Sequence, residues 1–369
     1  MNKQNRNIKK GAAFLGCACL LLTACGAAED SASTGATETV TTGSVVESTQ
    51  EASTTNSTQG STQAATQTTT ASTEASTAAA SASPIVDGQI QYSDDLVNTM
   101  YGDDALMNIV VLGDSQFGNF KGYDGLAYQI SQYCHANVWN CGIGGATAAV
   151  LPSDSTDKDG WDSLSGVGVA YALTKQVSSD YLATLFPYQK YMIDSVDMSN
   201  VDVFIVEFGL NDYLENVELD RNTTERSYRN AEATIGRTLH KAAPDAKIIF
   251  CGPTYAQFFD GTTYLGDINT LANKQGYKLI DYCNSLENEV TTGLAAESDV
   301  YSYFNAYLYA GIDSTNATDM LSADRLHMNG TGRTSYAKAL SRIIIRDEGY
   351  SIDEGVDPTT VEWWTTKTQ

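Results

Sequence analysis

The chain has few basic residues and an excess of acidic ones. Lysine plus arginine number 22 against 45 aspartates and glutamates, which gives the 369 residues a formal net charge of −23. Four of the basic residues lie within residues 1–24, which hold no acid, so the tally from residue 25 onward is 18 against 45, or −27. A chain this acidic repels phosphate backbones and anionic lipid head groups. We therefore expect no nucleic-acid partner.

The apolar run near the N-terminus is short. Residues 11–22 form a run of twelve, whereas a membrane-spanning helix needs about 20. The run follows a basic stretch at residues 3–10, which is typical of a secretory signal. It ends in Leu22-Thr23-Ala24-Cys25-Gly26, which resembles the lipobox of a bacterial lipoprotein. The resemblance implies that residues 1–24 are a cleaved signal peptide and that lipidated Cys25 holds the exported chain on the outer face of the cell membrane. The alternative is an ordinary cleaved signal in which Cys25 is incidental.

Large apolar side chains are scarce in residues 26–84, which are almost entirely Ser, Thr, Ala, Gln, Gly and Glu. Lysine and arginine are absent from residues 11–120. Such a segment buries too little apolar surface to offset the entropy of ordering it. We predict that residues 25–85 are a disordered tether and that residues 86–369 form the globular domain. An O-glycosylated stalk has the same composition and stays an alternative.

The cysteines give no sign of a metal centre. Of the seven, Cys17 and Cys19 leave with the signal, and Cys25 is the candidate for lipidation. Four remain in the domain without zinc-ligand spacing, and these are Cys134, Cys141, Cys251 and Cys283. Export permits disulfides, for which Cys134 with Cys141 is the best candidate pair; free buried thiols are the alternative.

Residues 151–190 look like an insertion that could wall a pocket. They include a group of aspartates of the kind that can bind calcium, at Asp154, Asp157, Asp159 and Asp162. Their spacing lacks the glutamate that closes an EF-hand loop. A solvated loop is therefore the expected structure, and we predict neither a metal nor another cofactor.

Short apolar runs alternate with helical patterns in the domain. The runs, which we predict to be strands, are residues 108–112, 137–140, 201–208, 246–250 and 278–282. Helical spacing occurs at residues 126–132, in a segment that Asn222 can cap and Pro244 ends, and at residues 332–346. This alternation predicts a parallel sheet with helices on both faces. In such sheets the active site lies beyond the carboxyl ends of the strands.

Three unusual loops open at that edge, and a fourth precedes the last helix. They are Gly113-Asp114-Ser115-Gln116, Asn140-Cys141-Gly142-Ile143-Gly144-Gly145-Ala146-Thr147, Gly209-Leu210-Asn211-Asp212 and Asp324-Arg325-Leu326-His327. Taken singly, each has an ordinary interpretation: a helix cap, a tight glycine turn, an Asn-Asp turn and a structural Asp-x-x-His.

The chemistry of a serine hydroxyl connects these loops. It attacks well only when a base takes its proton and a carboxylate holds that base in the right tautomer. Asp324 and His327 are three residues apart, so one local turn can aim the carboxylate at the imidazole. The other histidines are less suited, because His135 follows a helix end and His240 lies on an amphipathic helix, where we expect it near solvent. An asparagine at a strand end, such as Asn211, can donate to an oxyanion.

Together, in this order, the four loops resemble the blocks of the SGNH (GDSL-type) hydrolase family, over roughly residues 106–346. Gln116 stands where the eponymous motif has leucine, a position that does not carry the chemistry. The resemblance implies a flavodoxin-like three-layer α/β/α sandwich with a mainly parallel sheet, and ester hydrolysis. It implies Ser115 as nucleophile, His327 as base and Asp324 as the carboxylate that orients it.

The family's oxyanion hole maps onto the backbone N–H groups of Ser115 and Gly145 and the side chain of Asn211. Two adjacent glycines leave a choice there. The family pattern places the glycine two residues before the threonine, and Thr147 therefore favours Gly145 over Gly144.

The expected substrate follows from the predicted location. A tethered, exported esterase would meet acylated glycans or cell-wall polymers, so we expect it to remove O-acetyl or other short acyl groups. Sugar-stacking candidates are Trp161, Tyr213, Tyr255, Tyr307 and the Trp363-Trp364 pair, although core or sheet-edge packing is the default for each. Two alternatives stay open: an O-acyltransferase that uses the same triad, and a non-catalytic surface glycan-binding or adhesion module.

Overall fold

Strands and helices alternate along the chain. The computed structural model describes residues 85–86, 89–90, 101–151, 164–220, 224–353, 355–357 and 364–367. Its strands are β1 (Ile85–Val86), β2 (Gln89–Ile90), β3 (Met107–Gly113), β4 (Ala136–Asn140), β5 (Val203–Glu207), β6 (Lys247–Cys251), β7 (Gln257–Asp260), β8 (Thr263–Asp267), β9 (Tyr301–Phe304), β10 (Tyr350–Ile352) and β11 (Trp364–Lys367). Its α-helices are α1 (Ser115–Gly118), α2 (Leu126–Cys134), α3 (Gly166–Leu173), α4 (Pro187–Ser195), α5 (Leu210–Leu214), α6 (Tyr228–Ala242), α7 (Leu279–Asn288), α8 (Ala306–Tyr309), α9 (Ala317–Met320) and α10 (Gly330–Asp347).

Five parallel strands form the central sheet, in the order β4-β3-β5-β6-β9. The three inner strands, β3, β5 and β6, are buried on both faces over nearly all their residues, and β5 is buried along its whole length. Near-continuous apolar strands of this kind are typical of a parallel sheet that is covered on both sides. The order reverses at β3, as in the flavodoxin-like arrangement, so a crevice opens at the carboxyl ends of β3 and its neighbours.

Helices cover the two faces of the sheet. On β6 the ring of Phe250 faces Gly236 of α6, whereas the thiol of the next residue, Cys251, contacts Tyr336 of α10. Successive residues of a strand point to opposite faces, so α6 and α10 lie on opposite sides. Helix α2 packs beside α10, and α3 packs beside α6. The predicted α/β/α sandwich with a parallel sheet is therefore confirmed.

The predicted fifth strand, residues 278–282, is wrong. This segment begins α7, and the fifth strand of the sheet is β9. The buried residues of α7, Leu279, Tyr282, Cys283 and Leu286, recur at helical spacing. The carboxylate of Asp281 also accepts the backbone N–H of Lys278 at 2.7 Å and so caps the helix start. A five-residue apolar run does not reveal this period, because strand and buried helix look alike over so short a window.

Both long amphipathic helices begin at other residues than predicted. Helix α6 starts at Tyr228 with Ser227 in the capping position, and the predicted cap, Asn222, lies outside the described residues. Helix α10 starts two residues early, at Gly330, because the Asn329 side chain accepts the N–H of Gly332 at 3.1 Å.

The histidine and cysteine expectations have mixed outcomes. His240 is half-buried and its ring packs edge-on against Tyr301, so the expectation that it lies near solvent is wrong. The four domain cysteines are free and buried, and the candidate Cys134–Cys141 disulfide is not formed. Burial raises the pKa of the Cys134 thiol to about 12, which keeps it protonated and unreactive.

The insertion and the C-terminal tryptophans contribute to packing where they are described. Residues 164–190 build α3 and the start of α4, which belong to the helical layers. Residues 152–163, with the four aspartates and Trp161, lie outside the described residues, as does Trp363. Trp364 is half-buried in the β10–β11 pair, where its ring meets those of Tyr350 and His135. Within the described ranges, no helix has the length and apolar character needed to cross a bilayer.

Candidate active site

Ser115 opens a short helix at the carboxyl end of a central strand. Strand β3 ends at Gly113, and the Asp114 side chain caps α1 by accepting the N–H of Gln116 at 2.9 Å. The backbone N–H of Ser115 lies in the first turn of α1, where no helical carbonyl can accept it. Ser115 therefore lies at the edge of the sheet. The residue is buried, with 6 % of its surface exposed.

The loop before α10 brings a histidine to this serine. His327 Nε2 lies 2.7 Å from Ser115 Oγ, across 212 residues of sequence. Its Nδ1 lies 2.6 Å from Asp324 Oδ2. The other oxygen of Asp324 accepts the backbone N–H groups of Leu326 and His327, at 2.9 and 3.0 Å. Arg325 has a φ of +62°, which closes the turn between the carboxylate and the imidazole.

The electrostatics of the His327–Asp324 pair favour a protonated imidazole next to a carboxylate. Burial is the largest single effect on His327 and lowers its pKa, but the hydrogen bond and charge of Asp324 together with the charge of Asp114 outweigh it, so the pKa is raised. Burial alone would raise the pKa of Asp324, yet the hydrogen bonds and charge of His327 and the N–H of Leu326 lower it to about 2. Asp324 is therefore ionised whenever His327 is able to take up a proton.

Two further groups belong to the predicted oxyanion hole. Gly145 has a φ of +82°, is exposed, and its N–H has no hydrogen-bond partner among the described residues. Asn211, in the first turn of α5, donates its side-chain Nδ2 to Ala146 O at 3.0 Å and to Asp114 Oδ2 at 3.3 Å. The second contact is long, so this amide hydrogen is available to a stronger acceptor such as an oxyanion.

Buried carboxylates join the glycine loop to the asparagine loop and to the serine. Asp212 accepts the backbone N–H groups of Ala148 and Ala149, at 2.8 and 3.1 Å. Burial raises its pKa to about 7, against the lowering effect of these two bonds. Burial likewise raises the pKa of Asp114 to about 6, against the Gln116 N–H bond and the charge of His327. The two oxygens of Asp114 accept from the backbone N–H of Gln116 and from the side chain of Asn211.

An aromatic ring braces the histidine from the side. Phe120 meets His327 edge-on, with ring centroids 6.3 Å apart. The guanidinium of Arg333 lies 3.9 Å from the centroid of the Phe120 ring and donates to Met328 O at 2.7 Å. Arg333 is also paired with Asp124. The sequence contains no local signal for this arrangement, because Phe120 and Arg333 come from opposite ends of the domain.

The sequence profile of the GDSL-like lipase/acylhydrolase family matches residues 100–340, which is most of the domain that carries this site. The chain belongs to the GDSL-like lipase/acylhydrolase family. As a GDSL-type, or SGNH, hydrolase it is an enzyme that acts on ester bonds. No curated protein matches the chain.

Several solved structures are similar to this GDSL-type hydrolase at low identity. A Lactobacillus plantarum protein is 17% identical, with a TM-score of 0.44 over 66% of this chain and 98% of its own. A possible lipase from Chitinophaga pinensis is 16% identical, with a TM-score of 0.42 over 66% and 99%. An active-site mutant of a family two carbohydrate esterase from Clostridium thermocellum is 14% identical, with a TM-score of 0.41 over 66% and 65%.

The structure brings all five residues of the predicted GDSL-type site to one edge of the sheet.

The tyrosines suggested as sugar contacts are buried or half-buried. Tyr213 is buried and packs against Phe258, and its hydroxyl donates to Leu271 O, so it is a core residue. Tyr255 is also buried, while Tyr307 is half-buried and accepts from Asn269.

Gln116 is another residue whose contacts in the site the sequence interpretation missed. Its side-chain Nε2 donates to Leu326 O at 3.0 Å, and its Oε1 accepts the N–H of Met328 at 3.3 Å. The only available signal was the departure from leucine at this position of the GDSL motif.

Proposed function

We propose that the chain is an extracytoplasmic serine esterase that removes short acyl groups, such as O-acetyl, from glycans or cell-wall polymers through an acyl-enzyme on Ser115. The observation that carries the proposal is the continuous hydrogen-bond chain from Ser115 Oγ through His327 to Asp324, with distances of 2.7 and 2.6 Å. A serine hydroxyl needs such a chain to become a nucleophile at neutral pH.

In the first half of the reaction Ser115 Oγ attacks the acyl carbon and its proton moves to His327 Nε2. The carbonyl oxygen becomes an oxyanion. When the C–O bond to the sugar breaks, the leaving alkoxide takes the proton from Nε2, and the acyl group stays on Ser115 as an ester. Asp324 does not change protonation. It stabilises the imidazolium and keeps Nδ1 as the donor, so that neutral His327 presents a lone pair at Nε2.

In the second half a water molecule replaces the sugar. His327 Nε2 takes a proton from the water as its oxygen attacks the acyl carbon, and then returns this proton to Ser115 Oγ as the carboxylic acid leaves. In both halves the oxyanion accepts from the N–H groups of Ser115 and Gly145 and from Asn211 Nδ2. Losing one donor of this kind typically lowers the rate by about 10²–10³.

The hairpin that is hydrogen-bonded to the histidine loop supports a glycan substrate. The β7–β8 hairpin is tied to the histidine loop, because the N–H of Gln257 donates to Arg325 O at 3.0 Å. The hairpin exposes the aromatic rings of Phe259 and Tyr264 to solvent, at 41% and 50%. Exposed aromatic faces offer apolar area to sugar rings. The strong negative charge of the chain further favours neutral polymers over anionic ones.

The discriminating experiment measures the fate of the acyl group. The purified protein is incubated with p-nitrophenyl acetate, then with acetylated xylan or O-acetylated cell wall, and free acetate is quantified. We expect release by the wild type and by the control Ser199→Ala, whose serine is in an exposed turn, and none by Ser115→Ala. Acetylated acceptor sugars in place of free acetate would identify an acyltransferase. A folded wild type without any ester turnover would point to a binding module.

Export and lipidation form a separate part of the proposal. The basic stretch, short apolar run and Cys25 support a lipid anchor, and residues 25–85 would then hold the domain away from the membrane. A bacterial host that expresses the whole chain should incorporate a palmitate analogue into the wild type. The Cys25→Ser variant should lack the label, and wild type without label would contradict the proposal.

A further inference from the structure

Gln116 is a buried amide that touches the histidine loop on both sides of His327. It directly follows Ser115 and has 3% of its surface exposed. Its Nε2 donates to the carbonyl of Leu326, and its Oε1 accepts the N–H of Met328, at 3.0 and 3.3 Å. One side chain thus bonds to both residues that flank His327.

The backbone of Gln116 is itself held by the rest of the site. The backbone N–H of Gln116 donates to Asp114 Oδ1 at 2.9 Å. The other oxygen of that carboxylate accepts from Asn211 at 3.3 Å. A chain of hydrogen bonds therefore runs from the Asn211 side chain through the start of α1 to the histidine loop.

Few other hydrogen bonds connect α1 to this loop. Among the described residues, the remaining hydrogen bond between α1 and residues 321–329 is the one between Ser115 and His327 itself. The loop's other bonds lead elsewhere: His327 O accepts from Ser322, and Arg325 O accepts from Gln257 of the hairpin. Ser115 and His327 lie 212 residues apart in sequence, so no covalent constraint holds them together.

We propose that Gln116 is a positioning residue that holds His327 Nε2 at hydrogen-bonding distance from Ser115 Oγ. The inference rests on the proposed function, because it concerns the same proton transfer. A displacement of about 1 Å between reacting groups can lower a rate about 100-fold. Leucine at this position would fill the space but leave Leu326 O and the Met328 N–H without their present partners, and the loop would move to satisfy them with water.

The test compares Gln116→Leu with Gln116→Met and with a matched control. Gln129→Leu also removes a buried glutamine amide, which donates to Asp124 O at 2.9 Å and accepts from Tyr133 on α2. For each variant we would measure kcat and KM on p-nitrophenyl acetate, the rate at which a fluorophosphonate labels Ser115, and the melting temperature.

We expect both Gln116 variants to lose about tenfold to 100-fold in kcat and in labelling rate, with KM changed less than about twofold. Gln129→Leu should lower the melting temperature by as much as the Gln116 variants do, and its kcat should stay at the wild-type value. The inference is overturned if the Gln116 variants keep the wild-type kcat, or if the kcat of Gln129→Leu falls as far as theirs. Failure of the proposed function looks different, because the wild type itself would then neither turn over esters nor react with the fluorophosphonate.

Discussion

Asp324→Asn changes one atom and tests the role of the carboxylate in the site. The asparagine oxygen can still accept the N–H groups of Leu326 and His327 that Asp324 Oδ1 now accepts. Its NH₂ group would then face His327 Nδ1, where the carboxylate lies at 2.6 Å. Because the amide donates, Nδ1 must become the acceptor, and the imidazole proton moves to Nε2. The lone pair that should take the Ser115 proton is lost.

The same exchange in a serine-protease triad lowers kcat about 10⁴-fold, or about 5.4 kcal/mol at 1.36 kcal/mol per factor of ten. The Asp324 side chain is 47% exposed, so water can replace part of its interaction. We therefore expect a loss of about 10²–10⁴ in kcat.

The assay is steady-state hydrolysis of p-nitrophenyl acetate across pH, with Asp319→Asn as control. This substitution removes the same charge, but at an exposed position of α9. Loss of the Asp324 charge and hydrogen bond should also lower the pKa of His327, so residual activity should persist to lower pH than in the wild type. A loss below about tenfold, or an equal loss in the control, would refute the reasoning.

Three further outcomes follow from the geometry. The acid limb of kcat/KM should titrate above the ordinary histidine pKa of 6.5, because the pKa of His327 is raised and only the neutral ring accepts the Ser115 proton; a limb below pH 6.5 would contradict this. Asn211→Ala should lower kcat about 10²–10³-fold, whereas Asn200→Ala, at the opposite edge of the sheet, should not; equal effects in kinetic assays would argue against the oxyanion role. Gly145→Ala should lower the free energy of unfolding by about 1–2 kcal/mol, because alanine would have to adopt a left-handed backbone conformation, and it should also lower kcat. Gly261→Ala, at a φ of +58° with equally open space around its Cβ, should cost the same stability in denaturant titrations and leave kcat unchanged.

Most of the fold could be predicted because the strands are short, apolar and followed by glycine or polar turns. Four of the five predicted strands, at residues 108–112, 137–140, 201–208 and 246–250, coincide with β3, β4, β5 and β6. The fifth could not, since residues 278–282 have the composition of a strand, and only the apolar residues further on, up to Leu286, reveal a helix. Strand β9, with two half-buried residues and two tyrosines, lacks the continuous apolar run that marks the others.

The site was predictable as far as its residues lie in recognisable local segments. Ser115, Asn211 and His327 each follow or precede an element whose position the periodicity indicates, and the structure brings them together. Their catalytic roles stay predictions. Gln116 and Arg333 could not be assigned in advance, because their partners lie more than 200 residues away in sequence. Gln116 bonds to Leu326, and Arg333 bonds to Asp124 and lies over the Phe120 ring. Such contacts depend on tertiary packing and leave no spacing signal.

The most direct test of the central claim is to trap the covalent intermediate. The protein is mixed with p-nitrophenyl acetate, quenched in acid within the first turnover, and digested for mass spectrometry. The account predicts one acetyl group on the peptide that contains Ser115, and none in His327→Ala quenched at the same time. An acetyl group on another residue, or turnover by the wild type without any acetylated Ser115 under conditions where deacylation is slow, would contradict it.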